Sequence, residues 1–325
     1  MRGVVLAFVC LPLIAAADPI IFRIGTGGSG GTYLPIGSLI AKAISGTNEH
    51  NRDKAFYEPQ LIALAQRSTG SVGNVEDIND GLLEAGLAQA DVTHWAYNGT
   101  GPFENETPHK NLRGLATLYL ESVHLIVRND SQINDIHDLV GKRVSLDEKG
   151  SGTRLDMLSI LDAYDLTIDS IKAFYLKTSD AIDRLRSDEL DAIFLVAGYP
   201  VKVVSELVAD DKARVVPITG PPIEVIANDY PFFSVDTIPA DTYKNEEAIV
   251  TIGVPAQMII NSQVNDELAY NITSMLWNAN TLKMLRMGHP KGNDVKLSSA
   301  LTGMDLPLHP GAERFYREQG LLDEL

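Results

Sequence analysis

The sequence predicts an α/β chain of two βα sheet domains joined by a two-strand hinge around a cleft, and three observations point there. Short apolar runs alternate with helically periodic segments in the first third of the chain, and the same alternation restarts after residue 136. Two unusually long apolar extended segments, Leu112–Arg128 and Ile249–Asn261, bracket that second series. Beyond an N-terminal leader about 300 residues remain, more than one hydrophobic core usually holds. Two long segments suit two crossings between domains, and a hinge between α/β domains opens a cleft.

The leader is residues 1–17. Arg2 precedes an apolar run over 4–14 and then Ala15-Ala16-Ala17, the pattern of a cleaved secretory signal peptide, with the mature chain starting at Asp18 and residing in the periplasm. The run is shorter than the roughly 20 residues a membrane span needs. Cys10, the one cysteine, lies inside it and lacks the small preceding residue of a lipoprotein site. The mature chain therefore has no thiol, and its stability must come from packing rather than disulfides.

The elements follow in order. Ile20–Gly25 reads as a strand, 35–44 as a helix, 60–65 as a strand, 76–85 as a helix and 86–90 as a strand, before the long segment Leu112–Arg128. In the second series 142–146 is a strand, 153–164 a helix, 171–176 a strand, 179–187 a helix and 191–197 a strand. A short strand at 215–218 and a Pro-rich loop, Gly220-Pro221-Pro222, lead to the return crossing Ile249–Asn261. Helices around 265–287 and 310–319 then pack on the first domain. The domains predicted are 18–122 plus 253–325, and 123–252.

A formal net charge of −16 argues against nucleic acid or an anionic membrane as partner. No later stretch holds 18 apolar residues, so no direct membrane insertion is expected and any membrane role must run through a partner. The seven histidines show no H-x-H or H-E-x-x-H spacing, and neither metal nor cofactor is expected. His309-Pro310-Gly311 reads as a helix start, and Trp95 as core or as a cleft wall. The expected state is a monomer.

The most informative segment is Gly25-Thr26-Gly27-Gly28-Ser29-Gly30-Gly31-Thr32-Tyr33, between the first strand and the first helix. Five glycines in seven residues exceed what a tight turn requires. They let backbone N–H groups face a ligand, and with the positive end of the following helix they form an anion cradle. Ser29 and Thr32 add hydroxyls, and Tyr33 a phenol. The loop also satisfies two better-known patterns. Gly25-x-Gly27-x-x-Gly30 matches the dinucleotide fingerprint, but Glu49 and Asp53 lie in a polar stretch and not at the end of a second strand. Gly27-x-Ser29-x-Gly31 matches a serine hydrolase elbow, but it follows the first strand and has no partner oxyanion loop. A secreted serine hydrolase built on Ser29 and a nucleotide-binding enzyme stay as alternatives.

A second cradle, Lys149-Gly150-Ser151-Gly152-Thr153, links a strand to a helix in the other domain. Alone it could be a helix cap. The same device once in each domain suggests that two helix N-termini grip one anion across the cleft. Between the two lie the hydroxyl-rich loop 68–74, with Ser71, and Gln89-Ala90-Asp91 at a strand end, where open α/β sheets bind ligands. Gln89 offers a donor and an acceptor, while Asp91 either meets a ligand ammonium or caps a helix.

With these residues in view, the chain resembles the TAXI (TRAP-associated extracytoplasmic immunogenic) family of TRAP-transporter solute receptors. The resemblance spans nearly the whole mature chain: the 25–33 loop, 68–74, Gln89-x-Asp91, Asp138-Leu-x-Gly-Lys-Arg-Val144 leading to 150–153, Asp191-x-x-Phe194 with Gly198-x-Pro200, and Pro307-Leu-His-Pro-Gly-Ala312. It implies a periplasmic-binding-protein fold of type II-like organisation and no catalysis. The implied ligand is glutamate, glutamine or a related small carboxylate or amino acid, passed to ion-gradient-driven TRAP membrane subunits. Carried over residue by residue, ligand contacts fall on Gly27, Gly28, Ser29, Thr32, Tyr33, Ser71, Gln89, Asp91, Ser151, Gly152, Thr153, Phe194 and Gly198. No arginine is among these contact residues, which implies a cradle of amides and hydroxyls. Residues 93–106 carry larger polar and aromatic side chains than the family pattern, which leaves the ligand's identity open.

Overall fold

The computed structural model describes residues 18–45 and 61–323, so the leader lies outside the described residues, as does Gln60. The strands are β1 (Ile20–Gly25), β2 (Leu61–Gln66), β3 (Ala85–Gln89), β4 (Leu112–Arg128), β5 (Arg143–Ser145), β6 (Lys172–Phe174), β7 (Ala192–Ala197), β8 (Ala213–Val216), β9 (Ser234–Ile238) and β10 (Ile249–Asn261). The α-helices are α1 (Tyr33–Ile44), α2 (Ser71–Asn79), α3 (Ala90–Asn98), α4 (Gly152–Ala163), α5 (Thr178–Arg186), α6 (Lys202–Ala209), α7 (Pro221–Asp229), α8 (Asp266–Leu276), α9 (Ala279–Gly288) and α10 (Pro310–Glu318).

The strands form one hydrogen-bonded path, β2-β1-β3-β10-β4-β7-β5-β6, with β8 also on β4 and β9 also on β10. The two sheets expected from the sequence are thus the two halves of a continuous one. They are joined because β4 and β10 are long enough to serve both. Antiparallel pairing of β4 with β10 runs from Leu112↔Asn261 to Ser122↔Gly253. There both strands change partners: β4 continues against β7 from Ser122 and against β8 from Leu125, while β10 pairs with β9 over Ile249–Gly253.

β3 and β7 are buried along their entire lengths, as strands covered by helices on both faces should be. In β7 the alternation feeds two cores: Phe194 and Val196 join one that also holds Val144, Leu155 and Ile160, while Ile193 and Leu195 join Ile182 and Val204 on the opposite face. A third core in the first half packs Phe22 and Ile24 of β1 with Ile36 and Ile40 of α1, and it takes in Ile272 and Tyr316. The C-terminal helices α8 and α10 therefore seal the first half.

Several expected elements shift. The helix expected over 76–85 is α2, which starts at Ser71, because two of its inward residues, Ser71 and Asn74, are polar and hide the apolar period. The segment read as the Pro-rich loop at Pro221 begins α7, with proline in the first turn, where its missing N–H costs nothing. The single helix expected over 265–287 is broken at Trp277-Asn278, where the Asn278 side chain accepts from Asn280 N–H at 2.8 Å and caps α9. Helix α6 and strand β9 were not anticipated, while α3 is the helix that one reading of Asp91 as a cap implied, with Asp91 inside its first turn. His309 does start a helix: its Nδ1 accepts from Gly311 N–H at 3.3 Å.

Candidate ligand-binding site

The glycine loops of the two sheet halves meet at one cavity of about 50 Å³. At about 10–15 Å³ for each water-sized sphere, this is the room of a few waters. It is lined by Gly27, Gly28, Gly31, Thr32 and Tyr33 from the first loop, by Thr69, Gly70, Ser71 and Gln89, and by Ser151, Gly152 and Thr153 from the second loop. Glu121, Asp147, Thr178, Leu195 and Val196 complete it. The N-termini of α1, α2, α4 and α5 all reach this cavity, each bringing first-turn N–H groups outside its own helix ladder and a positive dipole end.

Local sequence sets each wall. Gly70 precedes α2 with a φ of 117°, a conformation that favours glycine, and it is held by its N–H donating to Ser68 Oγ at 3.1 Å. Ser71 Oγ accepts from Gln89 N–H at 3.1 Å and donates to Gln89 Oε1 at 3.2 Å, fixing the amide at the end of β3. Asn74 Nδ2 donates to the carbonyls of Thr26 and Leu87, at 2.7 and 2.6 Å, tying α2 to the first loop and β3. Across the cavity Ser151 caps α4, accepting from Thr153 N–H at 3.2 Å while donating to Asp147 Oδ2 at 2.8 Å. Thr153 Oγ1 accepts from Val196 N–H at 3.1 Å.

The two halves also touch directly. Gly73 N–H donates to Gly150 O at 3.2 Å, and Gln89 Nε2 donates to Asp156 Oδ2. Gly152 is indispensable in this arrangement: a Cβ there would lie 1.5 Å from Gln89 Oε1 and 2.9 Å from Ser71 Oγ.

Nine of the thirteen residues expected from the sequence line the cavity, namely Gly27, Gly28, Thr32, Tyr33, Ser71, Gln89, Ser151, Gly152 and Thr153. Four do not. Ser29 is exposed on the outer side of its loop, and Phe194 points into the core, where alternation along β7 places it. Gly198 lies beside Thr32, and Asp91 sits in the first turn of α3 against Asp156.

Among the lining residues that sequence reasoning missed, two are acids, Glu121 and Asp147. Burial pushes the Glu121 carboxyl up to about 8 and that of Asp147 up to about 6, the latter partly offset by the Ser151 hydroxyl. Behind the wall, burial raises Asp91 to about 6, and burial together with the Asp91 charge raises Asp156 well above the usual carboxylate range. A signal for Glu121 was present: it is the one carboxylate of β4, in the middle of a largely apolar strand.

A model of the NMT1-like family matches residues 24–320, nearly the whole chain. The chain belongs to the NMT1-like family. Among solved structures, this NMT1-like chain resembles a protein of Bordetella bronchiseptica RB50 with a TM-score of 0.54 at 15% identity, covering 93% of this chain and 82% of the other. It resembles the periplasmic binding protein BugD with a TM-score of 0.51 at 12% identity, covering 94% and 93%. A third similar structure, TM-score 0.50 at 15% identity and covering 86% and 100%, is a Clostridium perfringens protein described as a phosphate ABC transporter substrate-binding protein with bound phosphate. At these identities the likeness is one of fold: mixed α/β, of the periplasmic-binding-protein kind.

Proposed function

We propose that this NMT1-like protein is a periplasmic solute receptor that captures a small carboxylate-bearing ligand, glutamate, glutamine or a related acid, by closing two lobes and delivers it to TRAP-type membrane subunits. The observation that carries this reading is the convergence of four helix N-termini, two from each sheet half, on one cavity. Such ends bind anions through oriented N–H groups, and a ligand held from both sides favours the closed state by contacts it cannot make in the open one. The lobes would be 18–122 plus 253–325, and 123–252. These boundaries coincide with the Ser122↔Gly253 pair at which β4 and β10 change partners. The TRAP assignment rests on the ordered blocks of sequence resemblance.

A hydrolase on Ser29 is less well supported, because Ser29 is exposed and no histidine is among the described residues lining the cavity. A carboxylate panel in thermal unfolding tests the receptor reading. A ligand at 100 times its Kd adds about 2.7 kcal/mol to unfolding, and small-angle scattering should show compaction. If no carboxylate shifts unfolding, and an esterase activity exists that Ser29→Ala abolishes, the receptor reading is wrong. Uptake with purified membrane subunits that survives without ATP and collapses with the ion gradient would support TRAP coupling, and dependence on ATP would replace it with ABC coupling.

A further inference from the structure

The charge at the cavity does not match a plain anion site. Among the described residues that line it, Glu121 and Asp147 are carboxylates, and none is lysine, arginine or histidine. Glu121 is 2% exposed and faces the cavity from β4. None of the described residues lining the cavity supplies it with a countercharge. The Tyr33 phenol is beside it, and the Tyr119 hydroxyl, two residues along the same strand face, is buried without a hydrogen-bond partner. A cation that acts on it, Lys291, does not line the cavity: its ammonium is 3.0 Å from Asp294 and 3.9 Å from the Tyr199 ring centroid.

Resting on the receptor reading, we infer that Glu121 is the specificity-determining residue of the site: it is the countercharge for a protonated amine of the ligand. The receptor accordingly selects amine-bearing, net-neutral amino acids over amine-free diacids. The chemistry divides cleanly. Helix N–H groups only donate, and so hold a carboxylate. An ammonium only donates and needs acceptors, which Glu121, Asp147 and Gln89 Oε1 supply. A zwitterion satisfies both sets. An amine-free diacid adds two negative charges beside two carboxylates, one of them buried, with no cation among the described lining residues to offset them, and L-glutamate falls between. The raised position of the Glu121 carboxyl agrees, since a buried acid without a countercharge takes up a proton instead.

Calorimetry on the full mature chain tests this with the twenty protein amino acids and with succinate, glutarate and 2-oxoglutarate, for the wild type, Glu121→Gln and Asp147→Asn. In the wild type the best amino acid should be neutral overall and should bind at least tenfold tighter than any of the three amine-free diacids. Glu121→Gln should lower its affinity tenfold or more while leaving or improving binding of the diacids, so that the ratio falls towards one. Asp147→Asn should shift the ratio the same way by less, and it serves as the readout if Glu121→Gln does not fold. A wild type that binds an amine-free diacid as tightly as any amino acid overturns the inference, and so does an unchanged ratio in folded Glu121→Gln. If no compound of the panel binds the wild type, the carboxylate-receptor reading itself fails, a result distinct from both.

Discussion

Thr32 and Gly198 hold each other by two hydrogen bonds: Thr32 Oγ1 accepts from Gly198 N–H at 3.0 Å and donates to Gly198 O at 3.1 Å. The hydroxyl stands where an N-cap would satisfy α1, yet it makes no cap bond and reaches across the cavity mouth instead. Gly198 also leaves room for Lys291, since a Cβ there would lie 2.5 Å from Lys291 Cγ. Thr32→Val keeps the shape and removes both bonds. At about 0.5–1.5 kcal/mol for each bond, the closed state should lose roughly 1–3 kcal/mol. Ligand affinity should fall about 5- to 150-fold, with little change in ligand-free unfolding if the free protein is open; titration calorimetry and urea unfolding measure the two. Unchanged affinity would show that the pair does not belong to closure.

Gly152 and Gly28 look equivalent in the sequence, one in each glycine loop, but the structure separates them. Nothing lies within 4 Å of a Cβ built on Gly28, whereas one on Gly152 collides with the Gln89 amide. Gly152→Val should abolish detectable binding and ligand-induced compaction in scattering, and Gly28→Val should weaken binding by no more than a few-fold. Ser29→Ala, at an exposed position, should leave affinity unchanged.

Stability should fall as pH rises through the range in which Glu121 titrates. Its folded value near 8 lies above that of an unfolded glutamate, so the native state holds a proton that the unfolded chain has already released. That contribution is complete below about pH 4 and is lost as pH climbs through about 8. The groups acting on Glu121 are Tyr33, Asp91 and Lys291, with Asp156 and Tyr119 sensing its charge in turn. His124, which burial lowers to about 4, works the other way, but only below its unfolded value near 6.5. Between about pH 6.5 and 8.5 the acids therefore act alone, and ligand-free stability should drop by on the order of 1–2 kcal/mol. Glu121→Gln should flatten the profile. Equal Tm values at both pH values in the wild type would contradict it.

Docking of the C-terminal helix rests on one buried phenol. Tyr316 Oη donates to Leu115 O at 2.7 Å and accepts from Trp277 Nε1 at 3.0 Å, with Tyr316 fully buried. Tyr316→Phe leaves a buried acceptor and a buried donor unpaired and should cost about 1–3 kcal/mol in urea unfolding. The preference between amino acids and diacids should not change, because the phenol lies outside the cavity. A change in that preference would mean that α10 reaches the site through the sheet.

Much of the scaffold was legible in the residues. β1, β4 and β10 have the bounds the sequence suggested, because long runs of β-branched and aliphatic residues between turn-formers admit few other readings. Elements with polar inner faces were hidden. α2 buries Ser71 and Asn74, and α3 buries Asp91 and Thr93, so the apolar period misplaces the start of the first and does not give the extent of the second. The site was half visible for the same kind of reason. Glycine loops advertise themselves locally, whereas Glu121 and Asp156 come together with them only through pairing of residues far apart in sequence. The exposed Ser29 and the buried Phe194 show the converse: belonging to an informative segment does not decide which way a side chain points.

The partner exchange at Ser122 and Gly253 has a mechanical consequence. If the lobes rotate about this two-stranded ribbon, displacement grows with distance from it, and Glu121, paired with Val254 one step from the exchange, sits almost on the axis. Its carboxylate would hardly move while the rims carrying Gly28 and Gly150 sweep towards each other. The ligand's charge would then be examined at a stationary point, before the rims arrive, so that a wrongly charged solute is turned away from an open vestibule without first closing it.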